Sequence, residues 1–317
     1  SRVDNFEKIP GSPIAYWASE KVINSYIKGV SLKKFASPKT GMTTANNDKF
    51  LRMWFEVLPN KTKFNSRNKY EALESRAKWF PYSKGGGFRR WKGFDEYVIN
   101  WENDGFEIKN YRNSNGKKLA SVRSENKYFK PCITWSAVTS YKFSSRIVEN
   151  GRIFDSGGSS IFLANDIYFF EGLLNTKLTQ MFLFISNTTL NYQPRDIANI
   201  PVILPKDKYV KNIIEEIVKQ NCNISKTDWD SFETSWDFQK HPILTHKENS
   251  TTIEKAFNNW SKFTHKQFYQ LKANEEELNR IFIDIYGLED ELTPEVEDKD
   301  ITISKVVEEK SEEDKKN

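Results

Sequence analysis

The groups best suited to gripping a polyanion concentrate at residues 78–92, KWFPYSKGGGFRRWK. Lys78, Lys84, Arg89, Arg90 and Lys92 surround the glycine run at 85–87. A guanidinium can hold a phosphate, or take a guanine edge bidentately in the major groove. Glycine, with Gly86 at the centre, lets a backbone approach a surface that a Cβ would hold off. Trp79, Phe80, Tyr82, Phe88 and Trp91 could stack on bases or anchor the loop. The alternative for this stretch is a packed hairpin with basic edges. A second candidate is SPKTGMTTANN at 37–47, where Lys39, Thr43, Thr44 and Asn46 offer an ammonium, hydroxyls and an amide to phosphates and base edges. Its alternative is a solvated turn. YKFSSR at 141–146 adds Lys142 and Arg146, and TTLNYQPR at 188–195 adds Arg195.

Other chemistries lack their residues. Transfer of a methyl group to an exocyclic amine needs an Asn/Asp-Pro-Pro-aromatic tetrapeptide to hold the amino group and stack on the extruded base. The chain has 11 prolines and no Pro-Pro pair. The glycine clusters 85–87 and 157–158 lack the G-x-G-x-x-G spacing of a nucleotide-binding turn, and there is no P-loop. His241 and His246 are five apart, so one helical face does not stack them as metal ligands. Cys132 and Cys222 form neither a disulfide framework nor a zinc spacing, which fits a reducing, cytoplasmic setting. No catalytic residue, no metal and no cofactor is therefore expected in the chain itself. No apolar run is long enough to span a membrane.

Stepping outward, 23 Phe, 13 Tyr and 9 Trp make a sizeable core feasible despite only 38% hydrophobic residues. The net charge of +5 is unevenly spread. Residues 287–317 carry −7, which leaves +12 on residues 1–286. A basic body points to a polyanionic partner, and the alternative is a soluble, Lys-rich surface of an AT-rich genome. The chain opens at Ser1 in a Pro-flanked segment, and a piece of a longer protein is expected. Residues 1–30 read as a linker and an opening helix at 14–28. Residues 31–205 alternate short aromatic runs with Gly, Asn and Ser breaks, as in Tyr97–Trp101, Ile133–Trp135, Arg152–Phe154 and Ser160–Leu163, and read as strand-rich. Within them Ile167–Ile185 reads as one buried helix and Ile197–Leu204 as a strand. Residues 206–290 turn helical: Val210–Gln220 and Thr252–Tyr286 have helical spacing, with Gly287 as a C-cap. Residues 291–317 form an acidic tail expected to be loosely ordered. The expected fold is α+β: a mixed sheet with helices, then a helical C-terminal region.

Several strings resemble the C-terminal half of the PglX adenine-specific DNA methyltransferases of bacteriophage-exclusion (BREX) systems. They include FEKIPGSPIAYW (6–17), TANNDKFLRMWFEV (44–57), KWFPYSKGGGFRRW (78–91) and EYVINWENDG (96–105). YFKPCITWSAVTSYKFSSR (128–146), IFDSGGSSIF (153–162), LLNTKL (173–178), DWDSFETSWDF (228–238) and NEEELNRIFIDIYGLEDEL (274–292) continue the resemblance in order. LNYQPRDIANIPVILP (190–205) is similar to the end of target-recognition domains in Type I and Type IIG enzymes, through Asn191, Asp196, Ile200, Pro201, Leu204 and Pro205.

The resemblance implies a parent enzyme that methylates adenine N6 in a short motif, with S-adenosylmethionine and the catalytic tetrapeptide held by an N-terminal part absent from this chain. It implies double-stranded DNA, that N-terminal methyltransferase domain and other defence-system proteins as partners, with residues 31–205 as the target-recognition domain. The family's base-reading residues cannot be placed by motif, so the residues named above rest on their own chemistry. Two other readings stand beside this one: a protein-interaction module of the defence complex, and the target-recognition part of a Type IIG restriction-modification enzyme.

Overall fold

A computed structural model describes residues 18–187 and 189–306. The Pro-flanked linker, the first residues of the expected opening helix, Thr188 and the tail beyond Val306 lie outside the described residues. The fold is α+β. Its strands are β1 (Val30–Ser31), β2 (Ala36–Lys39), β3 (Leu51–Met53), β4 (Trp79–Ser83), β5 (Tyr97–Asn100), β6 (Cys132–Trp135), β7 (Ser145–Val148), β8 (Ile153–Phe154), β9 (Ser160–Leu163) and β10 (Pro201–Val202). One sheet runs β2-β9-β6-β7, antiparallel throughout, with Ile133 facing Ile147 and Ile161 across the ladder. A second runs β3-β5-β4-β8, in which β4 and β8 are parallel. A short β1-β10 pair joins the ends of this β-rich stretch.

Two apolar cores follow from the strand faces. The β3-β5-β4-β8 sheet carries one, with Phe80, Tyr82, Ile99, Phe129 and Ile153 buried. The other joins Ile133, Trp135 and Ile161 of the first sheet to Phe169, Leu173 and Phe182, and to Ile214, Leu271, Leu278 and Phe282 of the C-terminal helices. Residues on both sides of position 205 therefore share one core.

Local chemistry explains where the elements depart from the expected ranges. Residues 14–17 of the expected opening helix lie outside the described residues; within these the helix runs Glu20–Lys28, with the Ser19 side chain capping it by accepting from the Val22 N–H at 3.2 Å. The expected single helix over 167–185 is two, Ile167–Leu174 and Lys177–Ser186. Thr176 divides them: its hydroxyl donates back to the Leu173 carbonyl at 2.7 Å and accepts from the Thr179 N–H at 3.4 Å. The expected strand over 197–204 shrinks to Pro201–Val202, since Pro194 opens a short helix to Ala198. The long helix runs Ile253–Tyr286 with Thr252 as its N-cap and Gly287 in the left-handed region, at φ 67°, closing it.

The acidic stretch after 290 is the largest departure. Instead of trailing off, its described part crosses back over the helices, burying Val296, Asp300, Ile301 and Ile303. Apolar residues at every few positions and specific ion pairs hold it. Asp300 meets Lys142 at 2.5 Å, and Asp298 meets Lys272 at 2.7 Å and Lys305 at 2.9 Å.

Two adjacent arginines lock the C-terminal helices to the sheets. Arg89 reaches Asp228 at 3.0 Å and the carbonyls of Ser225 and Thr302 at 3.1 and 2.9 Å. Arg90 meets Glu275 on the long helix at 2.5 Å, and the other oxygen of Glu275 accepts from the Trp91 indole at 2.7 Å. Both sides of the Arg90–Glu275 pair are almost fully buried. Glu275→Ala would strand a buried guanidinium and an indole N–H. It should cost about 3–5 kcal/mol of unfolding free energy, read from urea denaturation. A cost under about 1 kcal/mol would mean water reaches Arg90.

Candidate nucleic-acid interface

The loop at 78–92 turns inward. Gly85, at φ 85°, and Gly158 close on each other. A Cβ on Gly85 would stand 2.3 Å from the Gly157 carbonyl oxygen, and one on Gly158 would stand 2.3 Å from that of Ser83. The surface these glycines approach is thus the second glycine cluster of the same chain. Gly86 is exposed, its N–H donating to Ser136 Oγ at 3.1 Å, and Gly87 faces open space.

This corrects the reading of three arginines as surface contacts. Arg89 and Arg90 are held by the pairs above. Arg146 is 2% exposed on β7, donates to the Arg89 carbonyl at 2.9 Å and lies over the Phe94 ring at 4.8 Å. Burial lowers its pKa to about 10. Partial engagement limits Lys92, bonded to Glu149 at 3.3 Å, and Lys142, paired with Asp300. Lys78 is half-buried over Trp79, and Lys84 half-buried over the Tyr97 ring at 4.2 Å. Arg195 remains largely exposed beside Asp196 at 3.5 Å, away from the other candidates in sequence and bonded to none of them.

The 37–47 loop leads instead to a surface element that the sequence reading passed over. Thr43 pairs with Ser121 by backbone hydrogen bonds of 2.9 Å in both directions, and Ser124 Oγ donates to the Thr40 carbonyl at 3.0 Å. Thr44 donates to Asn47 at 2.5 Å, and Asn46 caps the next turn by accepting from Lys49 N at 2.9 Å. The Asn46 amide also donates to the Tyr111 hydroxyl at 3.2 Å. Thr44 and Asn46 are therefore braces, while Lys39 and Thr43 keep exposed side chains.

What they brace is a hairpin over 111–119. Arg112 bridges Lys118, Asn113 N–H donates to the Lys117 carbonyl at 3.0 Å, and Leu119 N–H to that of Tyr111 at 3.0 Å. The Asn113 carboxamide oxygen accepts from the N–H groups of Asn115 and Lys117 at 3.1 and 2.9 Å, fixing the turn. Residues 112–119 are all exposed. The signal was available in the sequence. Residues 108–124 contain Lys109, Arg112, Lys117, Lys118 and Arg123 and no acid.

Charge follows the same division. The +12 of the body falls entirely on residues 31–205, while residues 206–286 sum to −1. Among the described residues of 31–205, exposed cations with no ion pair include Lys39, Arg112, Lys117, Lys118, Arg123 and Lys130, as well as Lys33, Lys34, Lys61, Lys63, Lys69 and Arg76. No group of three metal-binding side chains occurs among the described residues, and no described helix is long and apolar enough to cross a membrane. Burial pushes the Cys132 thiol up to about 11 and the Cys222 thiol further, so neither is a nucleophile near neutrality.

The fold is thus a mixed α+β one whose net positive charge lies on residues 31–205. Comparison with known proteins goes further. No protein-family model matches the chain. It is 43% identical over 310 residues to the adenine-specific methyltransferase PglX of Lacticaseibacillus casei (strain Zhang), covering 94% of this chain and 25% of that protein. It is 37% identical over 295 residues to the adenine-specific methyltransferase BrxX of Escherichia coli O9:H4 (strain HS), covering 92% of this chain and 22% of that protein. The chain spans about a quarter of the length of the curated relatives it matches and is homologous to that quarter of these methyltransferases.

A buried carboxyl lies elsewhere, between β7 and the Ile167–Leu174 helix. Glu171 is fully buried and accepts from Ser145 Oγ and Asn175 Nδ2, both at 2.8 Å. Burial raises its pKa to about 8, although those bonds and the Arg146 charge pull the other way. An unfolded glutamate ionises near 4.3. Between about pH 4.5 and 8 the folded state therefore keeps a proton that the unfolded state releases. Stability from this group is full below that window and falls as pH rises through it. Glu171→Gln should flatten that slope, so denaturation at pH 5 and 8.5 should show the variant gaining on the parent as pH rises. Parallel curves would show that Glu171 does not titrate there.

Proposed function

We propose that this chain is the DNA-recognition segment of an adenine-specific DNA methyltransferase of the BREX type. It holds a duplex so that an adenine extruded from the stack meets a catalytic pocket carried elsewhere in the parent protein, where S-adenosylmethionine binds. The other partners are that catalytic part and further proteins of the defence system. The observation that carries the reading is the confinement of the +12 charge to residues 31–205, in a chain whose relatives are adenine-specific methyltransferases. Arg112, Lys118 and Arg123 supply exposed cations on one braced element, with Lys39 and Thr43 alongside. Phosphate contacts by such groups give affinity and fix register, and base contacts give the choice of sequence.

The test is duplex binding by the chain as a function of salt. About four to six phosphate contacts predict a steep fall, with log K changing by about −0.9 per contact per decade of salt. Replacing Arg112, Lys118 and Arg123 together by Ala should weaken binding and reduce that slope by about 2 to 3. Replacing Lys262 and Lys266 on the long C-terminal helix should change neither. An affinity indifferent to salt, or equal losses from both sets, would overturn the reading.

A further inference from the structure

We propose, resting on the DNA-recognition reading above, that the 111–119 hairpin is the element that enters the DNA major groove, with Asn115 reading an adenine at its tip. Three observations carry this. The first is shape. A two-stranded ribbon is one of the two protein elements that the major groove admits, and the groove is about 8.5 Å deep. From Tyr111 to the turn the chain extends three residues, about 10 Å at about 3.3 Å each, so the tip can reach base edges while Tyr111 stays outside.

The second is anchoring. Tyr111 packs edge-on against Phe50 at 5.2 Å, Ala120 is buried, and Ser121 is laddered to Thr43. The ribbon is thus fixed at its base and by Asn113 at its tip, so little ordering entropy opposes its insertion.

The third is the division of side chains. The Asn113 carboxamide oxygen is occupied by the turn, so Asn113 is a positioning residue. The Asn115 carboxamide has no partner among the described residues and sits next to Gly116, at φ 75°, whose missing Cβ leaves the tip narrow. A free carboxamide matches the adenine N6–H and N7 pair bidentately. Lys117 and Lys118 follow the turn on the hairpin's return arm and Arg112 lies across from Lys118 in a β-bridge, so three exposed cations flank the tip, where phosphates line the groove.

The experiment is selection of bound duplexes from a random pool by the 317-residue chain, followed by affinities for the enriched motif. Asn115→Ala should lower affinity for that motif about tenfold and erase the preference at one A·T pair. Affinity for unrelated duplexes should be unchanged. Replacing that adenine by 7-deazaadenine, which removes the major-groove acceptor, should cost the parent the same factor and cost Asn115→Ala nothing further. An unchanged melting temperature would show that the exposed substitution leaves the fold intact. A motif retained by Asn115→Ala overturns the proposal while leaving DNA recognition standing. Loss without any 7-deaza effect overturns the major-groove placement. Failure of the unaltered chain to bind any duplex overturns the DNA-recognition reading and this proposal with it.

Discussion

Arg89 and Arg90 are neighbours in sequence, yet they reach two different C-terminal helices. Arg89 places three guanidinium nitrogens on Lys92, Thr302, Ser225 and Asp228. Arg90 reaches Glu275 from inside the core. A buried ion pair adds little stability over well-packed apolar side chains, but losing one partner is costly. What such a pair supplies is geometry. Guanidinium donors lie in a fixed fork, so satisfying them admits few positions of the helices relative to the sheets. The shared core of Phe169, Leu271 and Phe282 could slide by a ridge, whereas the paired charges could not.

That lock also explains where the acids go. Asp228, Glu275, Asp298 and Asp300 all lie after residue 205 and are all paired internally. Asp290 reaches back to Lys21 in the opening helix. The described part of the acidic C-terminal stretch, up to Val306, thus has Asp290, Asp298 and Asp300 engaged within the fold. It neutralises cations at the seam and leaves those at 112–130 exposed.

Much of the fold was legible because periodicity reports burial. Ser160–Leu163 is a strand as read, and Thr252 and Gly287 bound the long helix as read. Two boundaries were set by local chemistry that an apolar pattern does not show. Thr176 breaks a continuous apolar run, and Pro194 opens a short helix where a longer strand was expected. The tail was misread because composition averages over spacing. Val296, Ile301 and Ile303 are few, but each finds the core. The site was less legible. A cluster of Lys, Arg and Gly looks the same whether it meets phosphate or carboxylate. Only long-range partners decide, and Asp228 and Glu275 lie over a hundred residues away. The hairpin was overlooked because it lacks the aromatic residues that drew attention to 78–92.

That lack is what suits a hairpin to recognition. Residues 112–119 bury nothing in either core, so their side chains can change without a cavity or a stranded charge. Residues 85–92 have no such latitude. A Cβ at Gly85 collides with backbone, and removing Arg90 would strip the buried Glu275 of its counter-ion. A reader of DNA sequence must tolerate change where it touches bases and resist change where it sets the angle of approach. In this fold the two demands fall on different loops, joined through β4 and β5 and through the short brace from Thr40 to Asn46. Under the proposed DNA-recognition role, specificity would shift by substitution at the ribbon tip while the seam to the C-terminal helices holds the orientation of the hairpin-bearing sheet.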